Sequence, residues 1–346
     1  MTKDNDRSIS PFKLSMLRLL KNKLALSGLI ILFILILTAV FADVISPYNP
    51  DMQMLEYSSK PVFFKGQVLL LSGSRSPLPF KEIISVSDSG VVFLDNTNRQ
   101  ISLSLSELNG KTEKEFVKDM FFVLGTDRYG RDVLSRLIYG SRISLSVGLI
   151  SELIAIFIGI LLGSLAGYFR GVTDKFIMWI VSVVWAFPSI LFVISISVVL
   201  GKGFWQAFVA IGLTSWVDIA RIVRGQMISQ RELEYVEAAK VTGLPFYRII
   251  FRHLLPNCMS AVIVTATVGL ASAIIFEASL SFLGLGVQPP AASWGQMIFD
   301  GYKYIIAGTN WTLALIPGAA ILLTVFCVNL LGDGLRDAFD VNLKNN

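Results

Sequence analysis

The chain has 346 residues, of which 53% are hydrophobic and only 16% charged, with a mean hydropathy of +0.65. That balance exceeds what a soluble domain of this length carries, so an integral membrane protein is expected. A single histidine excludes a histidine-rich metal site, and the two cysteines, Cys258 and Cys327, show no metal or redox spacing and read as packing residues.

The N-terminal tail, residues 1–23, is basic, with Lys3, Arg7, Lys13, Arg18, Lys21 and Lys23. From Leu24 to Ala42 no charge occurs over 19 residues, about 28 Å of helix, which matches a bilayer core. A signal peptide is the alternative, since Val40-Phe41-Ala42 has small residues where a peptidase cuts, but the apolar run is longer than a signal's.

Hydropathy falls over residues 43–120, which read as an external, β-rich insertion. Val91 to Leu94, a D-N-T-N turn and alternating Ile101, Leu103 and Leu105 predict a hairpin, with short strands at Val68–Leu71 and Ile83–Val86. A region of that size buries a small core, so it is expected to lean on the membrane part or on a partner. Gly110-Lys111-Thr112 ends like a phosphate loop, but position 105 is leucine where such a loop needs glycine. Residues 121–142 form an interfacial segment. Its Arg131, Asp132 and Arg136 could pair with acidic or lipid phosphate groups, or could simply belong to a polar helix along the headgroups.

Five further spans are predicted within a core at 143–335: Ile143–Phe169, Phe176–Leu200, Trp205–Ile222, Cys258–Leu285 and Trp311–Leu331, which makes six in all. Gly159, Gly163 and Gly167 recur at intervals of four, the spacing that lets helix backbones approach closely. Glu152 and Glu277 are acids placed within spans, where a charge costs about 2.5–3.5 kcal/mol, so they must face protein or water, along a substrate route or as helix-packing groups. Asp218, Arg221 and Arg224 read as anchors near the inner end of the fourth span. Residues 336–346 form a short tail.

Lysines and arginines set the orientation. Arg170 and Lys175 follow the second span, and six basic residues lie between Arg221 and Arg252, whereas the two short connections on the other side carry only Lys202 and Lys303. Both termini are therefore expected in the cytoplasm, and the net charge of +5 reflects topology rather than nucleic-acid binding.

Residues 231–256 are a polar island between two apolar spans, so short helices are expected at the membrane surface. Leu233 to Val241 contains good helix formers, Gly243 supplies a helix-ending glycine, and Pro245 suits the first turn of a second helix that Pro256 halts. In that second helix Phe246, Ile249, Ile250, His253 and Leu254 form one apolar stripe. Ala238 and Ala239 let a partner's backbone come close, with Glu237 beside them as an ion-pairing group.

The E-A-A of Glu237 to Ala239, the glycine at 243 and the H-L-L-P of His253 to Pro256 resemble the cytoplasmic coupling loop of membrane subunits in bacterial ABC importers. G-T-D-R-Y-G-R-D-V-L-S-R-L-I-Y-G-S-R (Gly125 to Arg142), E-A-S-L-S-F-L-G-L-G-V-Q-P-P (Glu277 to Pro290) and L-G-D-G-L-R-D-A-F-D (Leu331 to Asp340) are similar to the C-type permease of the dipeptide/oligopeptide branch. The resemblance covers residues 10–48 and 121–341. It implies an all-α polytopic membrane protein of the ABC type I importer permease fold in the bacterial inner membrane. It also implies an ATPase-coupling surface at Glu237, Ala238, Ala239, Gly243, His253 and Pro256. The implied partners are two cytoplasmic ATPase subunits, a second homologous permease and an external substrate-binding protein. The implied cargo is di- or oligopeptides, although related permeases carry nickel complexes or glutathione.

No nucleophile, metal site, cofactor site or phosphate loop is recognisable, so the chain is not expected to be an enzyme and ATP must be hydrolysed elsewhere. A self-sufficient secondary transporter or channel is the rival class, but such carriers show paired halves with broken helices, whereas this chain has one asymmetric docking loop. A membrane-anchored sensor would not need five further spans.

Overall fold

The structure, a computed structural model, describes residues 11–73, 76–87, 89–110 and 112–339. Residues 1–10 and 340–346 of the expected tails, with Lys3 and Arg7, lie outside the described residues, as does Lys111. The chain divides into two compact units, one of residues 1–37, 143–288 and 319–346, the other of residues 38–142 and 289–318.

Among the described residues, five helices are long and apolar enough to cross a bilayer: Lys23–Val40, Val133–Phe169, Phe204–Gln230, Phe246–Phe282 and Thr312–Phe339. Asn22 starts the first of them, because its Oδ1 accepts from the N–H groups of Leu24 and Ala25 at 3.1 and 3.2 Å, two donors that the first turn leaves free. The expected straight span Phe176–Leu200 is instead a broken pair, Gly171–Trp185 and Ser189–Leu200, bent by 91°. The break falls at Ala186-Phe187-Pro188, where proline lacks the N–H that would continue the ladder and disfavours helical geometry at the residue before it.

A second difference lies at Pro256. It does not halt a helix: Phe246–Ile249 runs through a π turn at Ile250–Leu254 directly into Leu255–Phe282. Proline has no N–H to give the carbonyl four residues back, and the wider turn just before it accommodates that loss within a continuous rod.

Within the first unit, Gly159, Gly163 and Gly167 lie against the helix Phe204–Gln230. A Cβ at Gly163 would come within 2.9 Å of the Val223 Cβ, and one at Gly159 within 2.7 Å of the Ile219 Cβ. The helices meet there almost backbone to backbone, with Ile219, Ala220, Val223 and Met227 fully or nearly buried. Cys258 and Cys327 are both buried and free.

The second unit holds the strands β1 (Phe64–Leu69), β2 (Leu78–Phe80), β3 (Glu82–Ser87), β4 (Gly90–Leu94), β5 (Gln100–Ser104) and β6 (Val117–Phe122). They form two antiparallel sheets, ordered β2-β1-β6 and β3-β4-β5. On β4 the period-2 pattern turns Val91 and Phe93 inward, both with no exposed surface, to join Leu69, Phe80, Leu108 and Phe116. Asp95 closes the β4–β5 turn by accepting from the N–H groups of Thr97 and Arg99, each at 2.8 Å. Neither β2 nor β6 was expected from the sequence, where β6 runs into the interfacial segment.

That segment is not one polar helix. Thr126 bridges to Asp132 around a tight turn, and a helix starts at Val133. Arg131 and Arg136 are buried, at 2% and 1% exposure, and bind protein acids rather than open surroundings. Arg131 Nε pairs with Asp127 Oδ2 at 2.7 Å, and Arg136 Nε lies 3.6 Å from the same oxygen.

Candidate functional site

The polar segment after Phe204–Gln230 is organised by its own chain. Arg231 donates to the Tyr168 carbonyl, and Arg170 Nη2 pairs with Glu232 Oε1 at 2.7 Å. Leu233 is extended, and the helix Glu234–Val241 follows with Glu234 and Glu237 in its first turn and Lys240 in its last, the arrangement that suits the helix dipole. Gly243 has φ +76°, and the N–H groups of Gly243 and Leu244 close the helix end onto the carbonyls of Lys240 and Ala239 at 3.0 and 3.2 Å. The inner face is anchored: Val236, Ala239, Ile249, Ile250 and Leu254 all join the buried cluster around Met227 and Cys258.

The outer face is left open. Glu237, Ala238 and Gly243 are exposed, together with Tyr235, Val241, Phe246, Tyr247 and Phe251. Val241 is 88% exposed.

A second feature lies among the spans of the same unit. Glu152, Trp185, Ser189, Thr214, Asp218 and Thr265 help to line an open cavity of about 390 Å³. Glu152 is 4% exposed, and neither carboxylate oxygen has a hydrogen-bond partner among the described residues. Glu277 is held quite differently: Ser144 Oγ donates to its Oε2 at 2.9 Å and Ser281 Oγ to its Oε1 at 2.8 Å, and it is fully buried.

The model of the binding-protein-dependent transport system inner membrane component matches residues 159–345, and that of the N-terminal TM domain of oligopeptide transport permease C matches residues 10–61. The oligopeptide transport system permease protein OppC of Bacillus subtilis (strain 168) is 36% identical over 99% of this chain and 93% of its own length. The dipeptide transport system permease protein DppC of the same organism is 38% identical over 94% of this chain and 84% of its own. The chain belongs to the permeases of binding-protein-dependent transport systems. A chain of the inward-facing MetNI methionine ABC transporter aligns with a TM-score of 0.49 and 22% identity, covering 59% of this permease and 97% of that chain.

In the permease, the sequence-derived residues separate into groups. Glu237, Ala238 and Gly243 share the open surface, whereas Ala239 is 7% exposed and packs into the permease's own core. His253 is half-buried; its carbonyl accepts from Asn257 Nδ2 at 3.0 Å, and Pro256 is exposed just beyond the π turn of the rod. Of the expected apolar stripe, Ile249, Ile250 and Leu254 are buried, while Phe246 is 48% exposed. Arg224 and Asp218 separate as well: Arg224 Nη2 binds Asp174 Oδ2 at 2.7 Å, and Asp218 faces the cavity with Glu152. The exposed Val241, Tyr247 and Phe251 went unnoticed in the sequence, where a helical-wheel count along the second helix would have placed Tyr247 and Phe251 away from the buried stripe.

Proposed function

We propose that the permease is the membrane subunit of an ATP-driven peptide importer, forming half of the translocation pathway and relaying movement from cytoplasmic ATPases. The identity to peptide permeases along 99% of the chain carries the peptide reading. In this reading the exposed face of residues 231–256, with Glu237, Ala238 and Gly243 at its centre and Val241 and the aromatic side chains around it, enters a cleft on an ATPase subunit. ATPase closure pushes on that face, and the rod Phe246–Phe282 carries the movement into the bundle, switching access between two packings.

The remaining assembly follows the ABC type I importer plan: a second homologous permease, two ATPases and an external substrate-binding protein, with no cofactor on this chain. The bent pair counts as one span, giving six, with both termini cytoplasmic and the β-rich residues 43–120 outside. Mass spectrometry of the ligand that co-purifies with the binding protein, followed by uptake of that ligand into vesicles holding the complete complex, tests the reading. A peptide accumulated only with ATP supports it; accumulation of a non-peptide solute, with no peptide carried, contradicts it.

A further inference from the structure

Glu152 and Glu277 are both acids within span helices, yet only Glu277 is satisfied by its own chain. A buried carboxylate without donors is costly: it stays ionised only with a cationic or hydrogen-bonding partner and otherwise takes up a proton. Glu152 and Asp218 both line the cavity, and Thr214, Ser215, Thr265 and Ser272 add hydroxyl groups to the wall. No lysine, arginine or histidine is among the cavity's lining residues. The nearby Arg221 guanidinium is turned onto the Trp185 ring, 4.0 Å from its centroid.

Gly269 creates the seat. Any Cβ there would fall 2.6 Å from the Glu152 Cδ, so the carboxylate rests against bare backbone and a side chain at 269 would displace it. The cavity volume of about 390 Å³ also lies in the range of small-ligand sites.

We propose that this cavity receives the protonated amino group of the transported peptide, with Glu152 and Asp218 as its anionic partners; this rests on the peptide reading above. An ammonium brings three donors and a positive charge to a wall made of carboxylates and hydroxyls. A divalent cation is the poorer fit, since it seeks six or more close oxygen ligands and only Glu152 is a buried carboxylate here. Glu277 keeps its place as a helix-packing group.

The test uses the complete complex in vesicles and has two readouts. In a chain with Cys258 and Cys327 replaced by alanine, Thr265→Cys is treated with a cationic or an anionic methanethiosulfonate reagent, and the rate ratio is compared with that of 2-mercaptoethanol. The cation should be favoured about tenfold beyond the simple thiol, and Glu152→Gln with Asp218→Asn should abolish that preference. Uptake of trialanine should fall about tenfold or more in Glu152→Gln and recover in Glu152→Asp, which restores the charge. No cation preference, or one that survives the double substitution, would overturn the proposal. So would trialanine uptake that Glu152→Gln leaves unchanged, or that Glu152→Asp fails to restore. If the unmodified complex carries no peptide at all, the importer reading fails as well, and that outcome is visible before any variant is made.

Discussion

Arg131 reaches across 169 residues of sequence to Asp300, its Nη2 lying 3.4 Å from Asp300 Oδ2, with Arg128 Nη2 on the other carboxylate oxygen at 2.8 Å. Burial pushes the Asp300 carboxyl above its usual range while Arg128, Arg131 and Arg136 pull it down, so the acid depends on its arginines to stay ionised. Asp300→Ala leaves Arg131, 2% exposed, with Asp127 alone, and should destabilise the folded subunit by about 3–5 kcal/mol. Asp51→Ala removes a half-exposed partner 3.6 Å from Arg136 and should cost under about 1 kcal/mol. Unfolding midpoints of the two variants in detergent check the contrast, and equal midpoints would count against it.

The helix contact at Gly163 has no room for a side chain. Gly163→Val places its Cβ 2.9 Å from that of Val223 and should cost about 1–3 kcal/mol through overpacking. Gly225, where nothing lies within 4 Å, serves as the control, and Gly225→Ala should be close to neutral. The yield of monodisperse protein and its unfolding midpoint distinguish the two; similar losses would argue against a close contact.

The β4–β5 turn is acid-sensitive in one direction. The Thr97 hydroxyl, together with donors from Arg99, holds the Asp95 carboxyl down at about 2. Its folded value is lower than its unfolded value, so its contribution is present above the unfolded value of about 4 and is lost as pH falls through about 2. Hydrogen exchange at the amides of Thr97 and Arg99 should therefore show intrinsic-rate-corrected protection dropping between pH 4 and 2. In Asp95→Asn that step should vanish. A step near pH 5 would show that the carboxylate is not held as described.

Orientation rests on basic residues alone. In a chain lacking Cys258 and Cys327, a cysteine at the exposed Ser102 should react with an impermeant maleimide on intact spheroplasts, while one at the exposed Ser229 should not. Labelling of the inner position only would reverse the topology.

The apolar helices were legible because long uncharged runs report burial in lipid without any knowledge of neighbours. Gly243 was legible for a similarly local reason, since its +76° φ serves the turn that its own sequence demands. The 91° bend was missed because hydropathy is blind to direction, although Pro188 marked the place. Pro256 misled for the opposite reason: proline ends an α-helix, but a π turn one step earlier keeps the rod continuous. The ion pairs of Arg131 and Asp300, and the contrast between Glu152 and Glu277, depend on contacts distant in sequence, which composition and spacing do not encode. Ala239 was assigned to the docking face because small residues favour close approach, and it does allow one, to the permease's own core.

Coupling through residues 231–256 is most directly tested by Glu237→Lys and Gly243→Val, examined in the complete complex. The first reverses a charge on the exposed face; the second forces a branched residue into a positive φ, where the strain is of order 1–3 kcal/mol although space is open. Measured against the unmodified complex, both variants should reach the membrane in normal amounts, retain less ATPase on purification and lose most ATP-dependent uptake. Full ATPase retention with full coupled uptake in both would contradict the assignment of this face as the place where ATPase movement enters the permease.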